Sequence, residues 1–519
     1  MALTTATALF SAEERIDIDV NAKIREEGLN NSRIMDTVHV LTDVHGPRLT
    51  GSPSLKAAGE WAIREMESWG LTNGRMEPWD FGRPGWTNDF AWGAMISPVK
   101  DNLEFEVVAW TPGTDGAISG PAVSLVLPER PTQEELTTYF ASVREKVNGA
   151  MVLVGRPRVV GVDFDPPAKR RSDEQVRALF DPAQPVQGRR GRGGRGGRAG
   201  RALPAGVLPS SEVATRLDEF LLSAGAGLRI NDAARAHGQI VAFGSRTNDP
   251  ARTVPTVVMR NEDFGRIVRI LERGTPVELR FHIVNSTFPE GKTAYNAIAE
   301  IPGSDMRDEV VMLGGHLDSW HVATGATDNA IGCAVMMEAA RIVKVVSVRP
   351  RRTIRVALWS GEEQGLLGSQ AYVAQHFGTS EDPKPGHGKL VAYMNLDTGT
   401  GRIRGAGVFG PPEAAQALRE ILKPFEDFGV FGASATSSRF LGGTDHTSFN
   451  KAGLPGINFT QDPVEYNTHT HHTNLDTYER IVEQDVKQSA VVIASLLYHL
   501  SVREDPLPRF DAASMPPPR

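Results

Sequence analysis

Three apolar segments of this chain run directly into residues of metal-binding type. VVMLGG leads into His316, VALWSG into Glu362 and Glu363, and VAYMNL into Asp397. Continuous apolar runs of this length fit parallel strands buried on both faces. Helix-period segments, Ala330–Val346 and Leu366–Phe377, lie between them, so the chain from Ala294 reads strand, helix, strand, helix, strand. That alternation predicts an α/β architecture with a mixed, mostly parallel sheet flanked by helices. Open sheets of this kind bind ligands beyond the carboxyl ends of their strands, so residues far apart in sequence can converge there.

Two loops add further candidates, Asp328 in GATDNA and His472 in THTHHTNLDT. Each residue alone has a plain structural reading: Asp328 can cap the helix that follows, and Asp397 can open a turn with Gly399. Their joint placement, with doubled carboxylates and a histidine cluster, points instead to metal. Cys333 is the only cysteine, which excludes both an intrachain disulfide and a thiolate metal site. Imidazole and carboxylate without thiolate suit zinc, with manganese or cobalt as substitutes. Calcium and magnesium prefer all-oxygen sites.

Elsewhere, residues 31–71 read as helix, break and helix, followed by a turn-rich stretch to about Lys100. Residues 101–292 change texture to short β-type runs separated by Gly, Pro and Asp, which predicts a separate, mainly β domain. Within it, Gln187–Ala202 reads QGRRGRGGRGGRAGRA and is expected to be a mobile Arg/Gly loop. It has no aromatic residue to stack bases, and the chain carries 56 Lys+Arg against 63 Asp+Glu, a net of -7. No nucleic-acid partner is therefore expected. Residues 478–502 predict a long amphipathic helix, and 506–519 a disordered tail. No apolar run reaches the about 18 residues that span a bilayer, and residues 1–10 lack the basic start of a signal peptide.

HLDSW, GATDN, LWSGEEQGLLGS, NLDTGTG, GGTDH and HHTNLDT, in this order and spacing, resemble the di-zinc exopeptidase family of bacterial leucyl aminopeptidases and glutamate carboxypeptidases. The likeness is strongest to its plasma glutamate carboxypeptidase branch. It is dense over about 294–502 and looser through VHGPRLTGSPS near residue 50. The resemblance implies a zinc exopeptidase fold in two pieces, 1–100 and 293–505, with 101–292 as an inserted protease-associated-like domain. It implies two Zn²⁺ per chain, one held by His316 and Asp397 and the other by Glu363 and His472, with Asp328 bridging. Glu362 is then the general base, activating a water held between the ions, and Asp318 orients His316 from behind. By the same resemblance His471 stabilises the oxyanion, and His446 is a second substrate-facing imidazole.

The implied substrate is a peptide or dipeptide cut near a free terminus, by aminopeptidase or dipeptidase action. A secreted or periplasmic location and a homodimer are compatible with it. For the substrate's own charges, Asp445, Asp462 and Glu465 are candidates to hold an amine and Arg439 a carboxylate. His321 and Asn329 depart from the branch, which is acidic at both places, so its dipeptidase preference does not transfer directly. Two rival readings share the fold: a single-zinc enzyme of the glutaminyl cyclase type and a non-catalytic, receptor-like ectodomain. Retention of His316, Asp318, Glu362 and Glu363 together favours the two-metal hydrolase.

Overall fold

The computed structural model describes residues 14–162, 164, 169–181 and 203–518. The Arg/Gly segment 187–202 lies outside the described residues. Among these, two eight-stranded sheets organise the chain. The sheet bearing the metal-ligand candidates consists of Thr72–Asp80 (β1), Thr293–Ile301 (β2), Met306–His316 (β3), Arg352–Trp359 (β4), Leu390–Asn395 (β5), Ile403–Phe409 (β6), Ala433–Thr436 (β7) and Gly456–Gln461 (β8). Its order is β1-β2-β4-β3-β5-β8-β6-β7. The central strands β4, β3, β5 and β8 are parallel, and β1, β2 and β6 pair antiparallel toward the two edges.

Strand alternation sends successive residues of the apolar runs to opposite cores. Val311 and Leu313 of β3, Val356 and Leu358 of β4 and Ala392 and Met394 of β5 face one core. Val310, Met312, Ala357, Trp359 and Tyr393 face the other, against Tyr372, Phe377 and Phe449. Covered on both sides, the strands are apolar over most of their length, and the ligand candidates stand at or just beyond their carboxyl ends. Helix Ile331–Val345 (α1) is buried all round over Ile331–Val343, because it lies between the sheet and helix Glu483–Val502 (α2). Gly314 lets β3 close on β4, since a Cβ there would stand 1.8 Å from the Ala357 carbonyl oxygen.

Some expectations shift. The turn-rich stretch before Lys100 contains β1 and strand Gly85–Ser97, whose partners are Thr293–Ile301 and Glu278–Phe288, some 200 residues away in sequence. The second sheet thus begins at Gly85, ahead of 101, and runs to Phe288 around its own core of Trp86, Trp110, Phe264 and Phe281. The C-terminal helix starts at Glu483 rather than Tyr478, after a short 3-10 turn. The expected tail is packed near its start: Leu507 is buried, and Phe510 meets Phe409 edge-on at 5.4 Å. Residues 169–173, which fall within the β-rich part of the sequence, lie against the first sheet instead. There Lys169 pairs with Glu465 at 2.7 Å, and Arg170 with Asp485 at 2.6 Å.

The loop 41–48 is fastened beneath the site by Arg48. Its guanidinium is fully buried and donates to four main-chain oxygens, those of Leu317 (2.7 Å), Leu41 (2.7 Å), Thr324 (2.8 Å) and Gly325 (2.9 Å). Arg48→Met strips donors from four buried carbonyls at once, so a loss of about 3–5 kcal/mol in urea unfolding is expected. A change below about 1 kcal/mol would show that the loop is held by other contacts.

Candidate metal centre

The strand ends bring the candidates together as the topology requires. His316 closes β3, Glu362 and Glu363 follow β4 after Ser360 and Gly361, and Asp397 follows β5. Asp328 arrives from the loop before α1, whose Asp328–Asn329 peptide is cis. His472 arrives from the loop before α2. The two loops are joined where Thr327 Oγ1 donates to Thr470 Oγ1 at 2.8 Å and where Asp476 accepts from the amides of Thr327 (2.5 Å) and Asp328 (3.1 Å).

Asp328 divides its carboxylate between two groups of ligands. Its Oδ1 lies 3.2 Å from His316 Nε2, which is also 3.3 Å from Asp397 Oδ1. Its Oδ2 lies 3.2 Å from His472 Nε2, which is 2.9 Å from Glu363 Oε2. His471 Nε2 stands further off, 3.8 Å from Asp328 Oδ2, with its ring stacked on His472 at 3.8 Å. The Nδ1 of His316 donates to the main-chain oxygen of Asp318 at 2.9 Å. A carbonyl can only accept, so the tautomer is fixed and Nε2 turns its lone pair toward two carboxylates.

Only a proton or a cation between these groups relieves that arrangement. Burial opposes charge on His316, yet Asp397, Glu362 and Asp328 outweigh it and hold the imidazolium well above its usual pKa. Burial also opposes charge on His472, and Glu363 and Asp328 push it up to about 11. Asp328 is drawn well below the carboxylate range, since His316 and His472 overcome its burial. Burial, opposed by His472 and reinforced by Asp328, raises Glu363 to about 7. Two buried oxygens, Asp328 Oδ2 and Glu363 Oε1, have no aligned hydrogen-bond donor. A cavity of about 10 Å³ lies among Trp320, Asp328, Glu363, His472 and Asp476, room for one water-sized body. Orphaned oxygens, the fixed lone pair of His316 and an ion-sized void fit divalent metal of the zinc type.

The two glutamates differ. Glu363 engages His472, whereas Glu362 is raised well above its usual pKa by burial and, against the pull of His316, by Asp397 and Asp445. The carboxylate of Asp318 contributes differently from expectation. Its Oδ1 is 3.7 Å from His316 Nδ1, the nearer contact being its own main-chain oxygen. The carboxylate instead accepts from the amides of Glu362 (3.2 Å) and Glu363 (3.3 Å) and from Thr50 Oγ1 (2.9 Å), and so fixes the loop carrying both glutamates.

Of the other candidates, Asp445 is fully buried, and burial, opposed by His316, raises it to about 7. His446 is buried beside it, its Nδ1 unpartnered and its pKa lowered by burial to about 4. Arg439 is used elsewhere: its guanidinium meets Glu381 Oε1 at 2.8 Å, Ser380 Oγ at 2.9 Å and the Lys451 carbonyl at 3.2 Å. Asp462 is enclosed by Arg170, Arg402 and Arg404, so it is not a free amine anchor. Asn329 is buried structure, since its Nδ2 donates to the Leu396 carbonyl at 2.9 Å and its Oδ1 accepts from Gly332 N at 3.1 Å. A carboxylate could not make the first of these bonds. His321 donates to the Val107 carbonyl at 2.6 Å, stitching the two sheets together. Tyr466 was not foreseen; its hydroxyl reaches Asp397 Oδ1 at 3.5 Å and its ring lies 4.8 Å from His471.

Residues 296–497, which include every one of these ligand candidates, match the model of peptidase family M28. Over this stretch the chain is similar to that family. Over 264 residues the chain is 31% identical to carboxypeptidase Q of Rattus norvegicus, an alignment that spans 50% of this chain and about half, 52%, of the rat protein. A longer alignment, to carboxypeptidase Q of Pongo abelii, is 26% identical and covers 93% of this chain and 88% of that protein. The fold is shared with the M28 peptidase precursor of Shewanella amazonensis SB2B, at a TM-score of 0.64 and 22% identity over 95% of this chain and 98% of that one. It is shared too with a zinc aminopeptidase of Bacillus subtilis, at 0.55 and 17% over 93% and 97%. No helix among the described residues is long and apolar enough to cross a membrane.

Proposed function

We propose that the chain is a two-zinc exopeptidase that hydrolyses the peptide bond next to a free terminus. The observation that carries this is Asp328, whose two oxygens face two separate ligand pairs, His316 with Asp397 and His472 with Glu363. Three carboxylates then offset three of the four positive charges of two Zn²⁺. Bound there, the ions would polarise the scissile carbonyl and acidify a water. Glu362 takes the water's proton and returns it to the leaving amine. Burial lowers the pKa of His471, against the pull of Asp328, so the neutral ring presents one N–H to the developing oxyanion beside His472. The second sheet is the counterpart of the inserted, protease-associated-like domain.

Names of the relatives point both to carboxypeptidase and to aminopeptidase action. The test is a panel of aminoacyl chromogenic amides, free dipeptides and C-terminally blocked dipeptides, assayed with zinc and with chelator. Chelator-sensitive cleavage of at least one class is expected. Cleavage of free dipeptides alone defines a dipeptidase, and cleavage of the amides an aminopeptidase. No cleavage of any class by zinc-loaded protein would overturn the proposal.

A further inference from the structure

The second sheet holds a charged cavity of about 240 Å³ that the metal centre does not use. Its floor is one face of strands Leu228–Asp232 and Thr256–Met259, where Arg229 stands across from Thr256 and Asn231 across from Val258. Asp218 reaches it from helix Ser210–Ser223, and the loop that carries Phe243 and Arg246 walls one side. That loop is fixed at both ends. The Phe243 carbonyl accepts from Ala109 N at 3.1 Å and Ser245 N donates to the Ala109 carbonyl at 2.8 Å, while Ile240 N donates to Asn474 Oδ1 at 2.9 Å. Phe243 is the partition between this cavity and the metal centre, since its ring meets that of His472 edge-on at 5.4 Å and 84°.

The polar groups of the cavity have donors to spare. Arg229 donates from Nη1 to Asp218 Oδ1 at 2.5 Å and from Nε to Asn231 Oδ1 at 2.9 Å, which leaves its Nη2 with no acceptor among the described residues. Asn231, its oxygen taken by Arg229, keeps an Nδ2 that likewise has none among them. Arg246 is exposed at the mouth and uses only Nη2, on the Ser211 carbonyl at 3.1 Å. Two guanidiniums thus share one carboxylate. Burial lowers the pKa of Arg229 against the pull of Asp218, and Arg246 lowers it further, so the two cations repel each other. Glu106, across from Val258 on the same face, is pushed up to about 8 by burial and brings little negative charge at neutral pH.

We propose that this cavity binds a small organic carboxylate, its charged end received by Arg229, Asn231 and Arg246 and its apolar body by Val241, Val258 and Phe243. An anion between the two guanidiniums removes their repulsion, and a planar carboxylate matches the paired N–H donors of a guanidinium. The valine and phenylalanine wall sets the class of anion. Inorganic phosphate, polar on every side, would leave that wall uncovered, whereas a carboxylate on a short aliphatic chain covers it. A free acid and the C-terminal end of a peptide share this chemistry. The site is separate from the metal ligands and does not rest on the exopeptidase reading.

The test is calorimetric titration of the full chain, zinc-loaded and chelator-stripped, with 4-methylpentanoate, its neutral amide 4-methylpentanamide and inorganic phosphate. The acid is expected to bind wild type in both metal states, and about tenfold or more tightly than the amide or phosphate, the worth of one hydrogen bond to a charged group. Arg246→Gln removes a charge whose one bond is to the Ser211 carbonyl, so it should fold with unchanged thermal unfolding and weaken the acid about tenfold. An N-acetylated tetrapeptide ending in leucine separates the two sources. Binding of the peptide as well as the acid identifies chain ends as ligands, and binding of the acid alone identifies the free acid. Absence of binding by wild type would overturn the site. Binding that disappears with zinc and is equal in wild type and Arg246→Gln would place the acid on the metal and overturn it too.

Discussion

Glu362→Gln is expected to keep both zinc ions and to lower turnover by about 10²–10⁴-fold, the range for loss of a general base. The substitution preserves size and shape but removes the ability to take up and return a proton. Metal should survive because Glu363, not Glu362, meets His472 and shares the Asp328 side of the cluster. The loop should keep its path, since the amides of residues 362 and 363 still donate to Asp318. The matching Glu363→Gln variant should fail differently, losing zinc as well as rate. Near-normal turnover in Glu362→Gln would remove Glu362 from the role of base.

Asp328→Asn is expected to have the larger effect on metal content. An amide carries no charge and offers one oxygen where the carboxylate offers two, so at most one ligand pair keeps its third member, and that one without its charge. Outer contacts to metal ligands already cost about 10–100-fold, and loss of a shared ligand should exceed about 10² in zinc affinity and in activity. The fold should persist, because the anchoring bonds of this loop use main-chain amides received by Asp476 and the Thr327 hydroxyl. Retention of two zinc ions by Asp328→Asn would mean that the two sets are not joined through this residue.

How far these residues could be read without coordinates follows from how each is placed. His316, Glu363 and Asp397 were legible because parallel strands put their ends on one rim, and the apolar runs mark those ends. The layering was legible for the same reason, as the runs demand cover on both faces. Asp328 and His472 come from loops, where residue type and motif resemblance spoke but no periodicity did. The split between Glu362 and Glu363 came from the motif resemblance alone, the two residues being symmetric in sequence, and Glu363 is the one that meets His472. Asp318 was singled out, but its work differs: the carboxylate supports the glutamate loop while its carbonyl orients His316.

Phe243, Asn474, Tyr466 and Arg48 were invisible for another reason. Their roles depend on contacts between segments distant in sequence, such as Ile240 with Asn474, and no local pattern records such a pairing. Arg439 shows the converse, a residue whose type suggested a carboxylate anchor but whose guanidinium is engaged by Glu381 and Ser380. Strands Thr72–Asp80 and Gly85–Ser97 were read as turns because Gly and Pro interrupt them, and their register is set by partners across the chain.

In the proposed mechanism one bridging carboxylate, Asp328, organises two zinc sites. The most direct measurement of this is titration of metal-stripped protein with zinc, following bound metal and hydrolysis together. Saturation is expected at two equivalents per chain, with full activity only after the second. Saturation at one equivalent with full activity would contradict it.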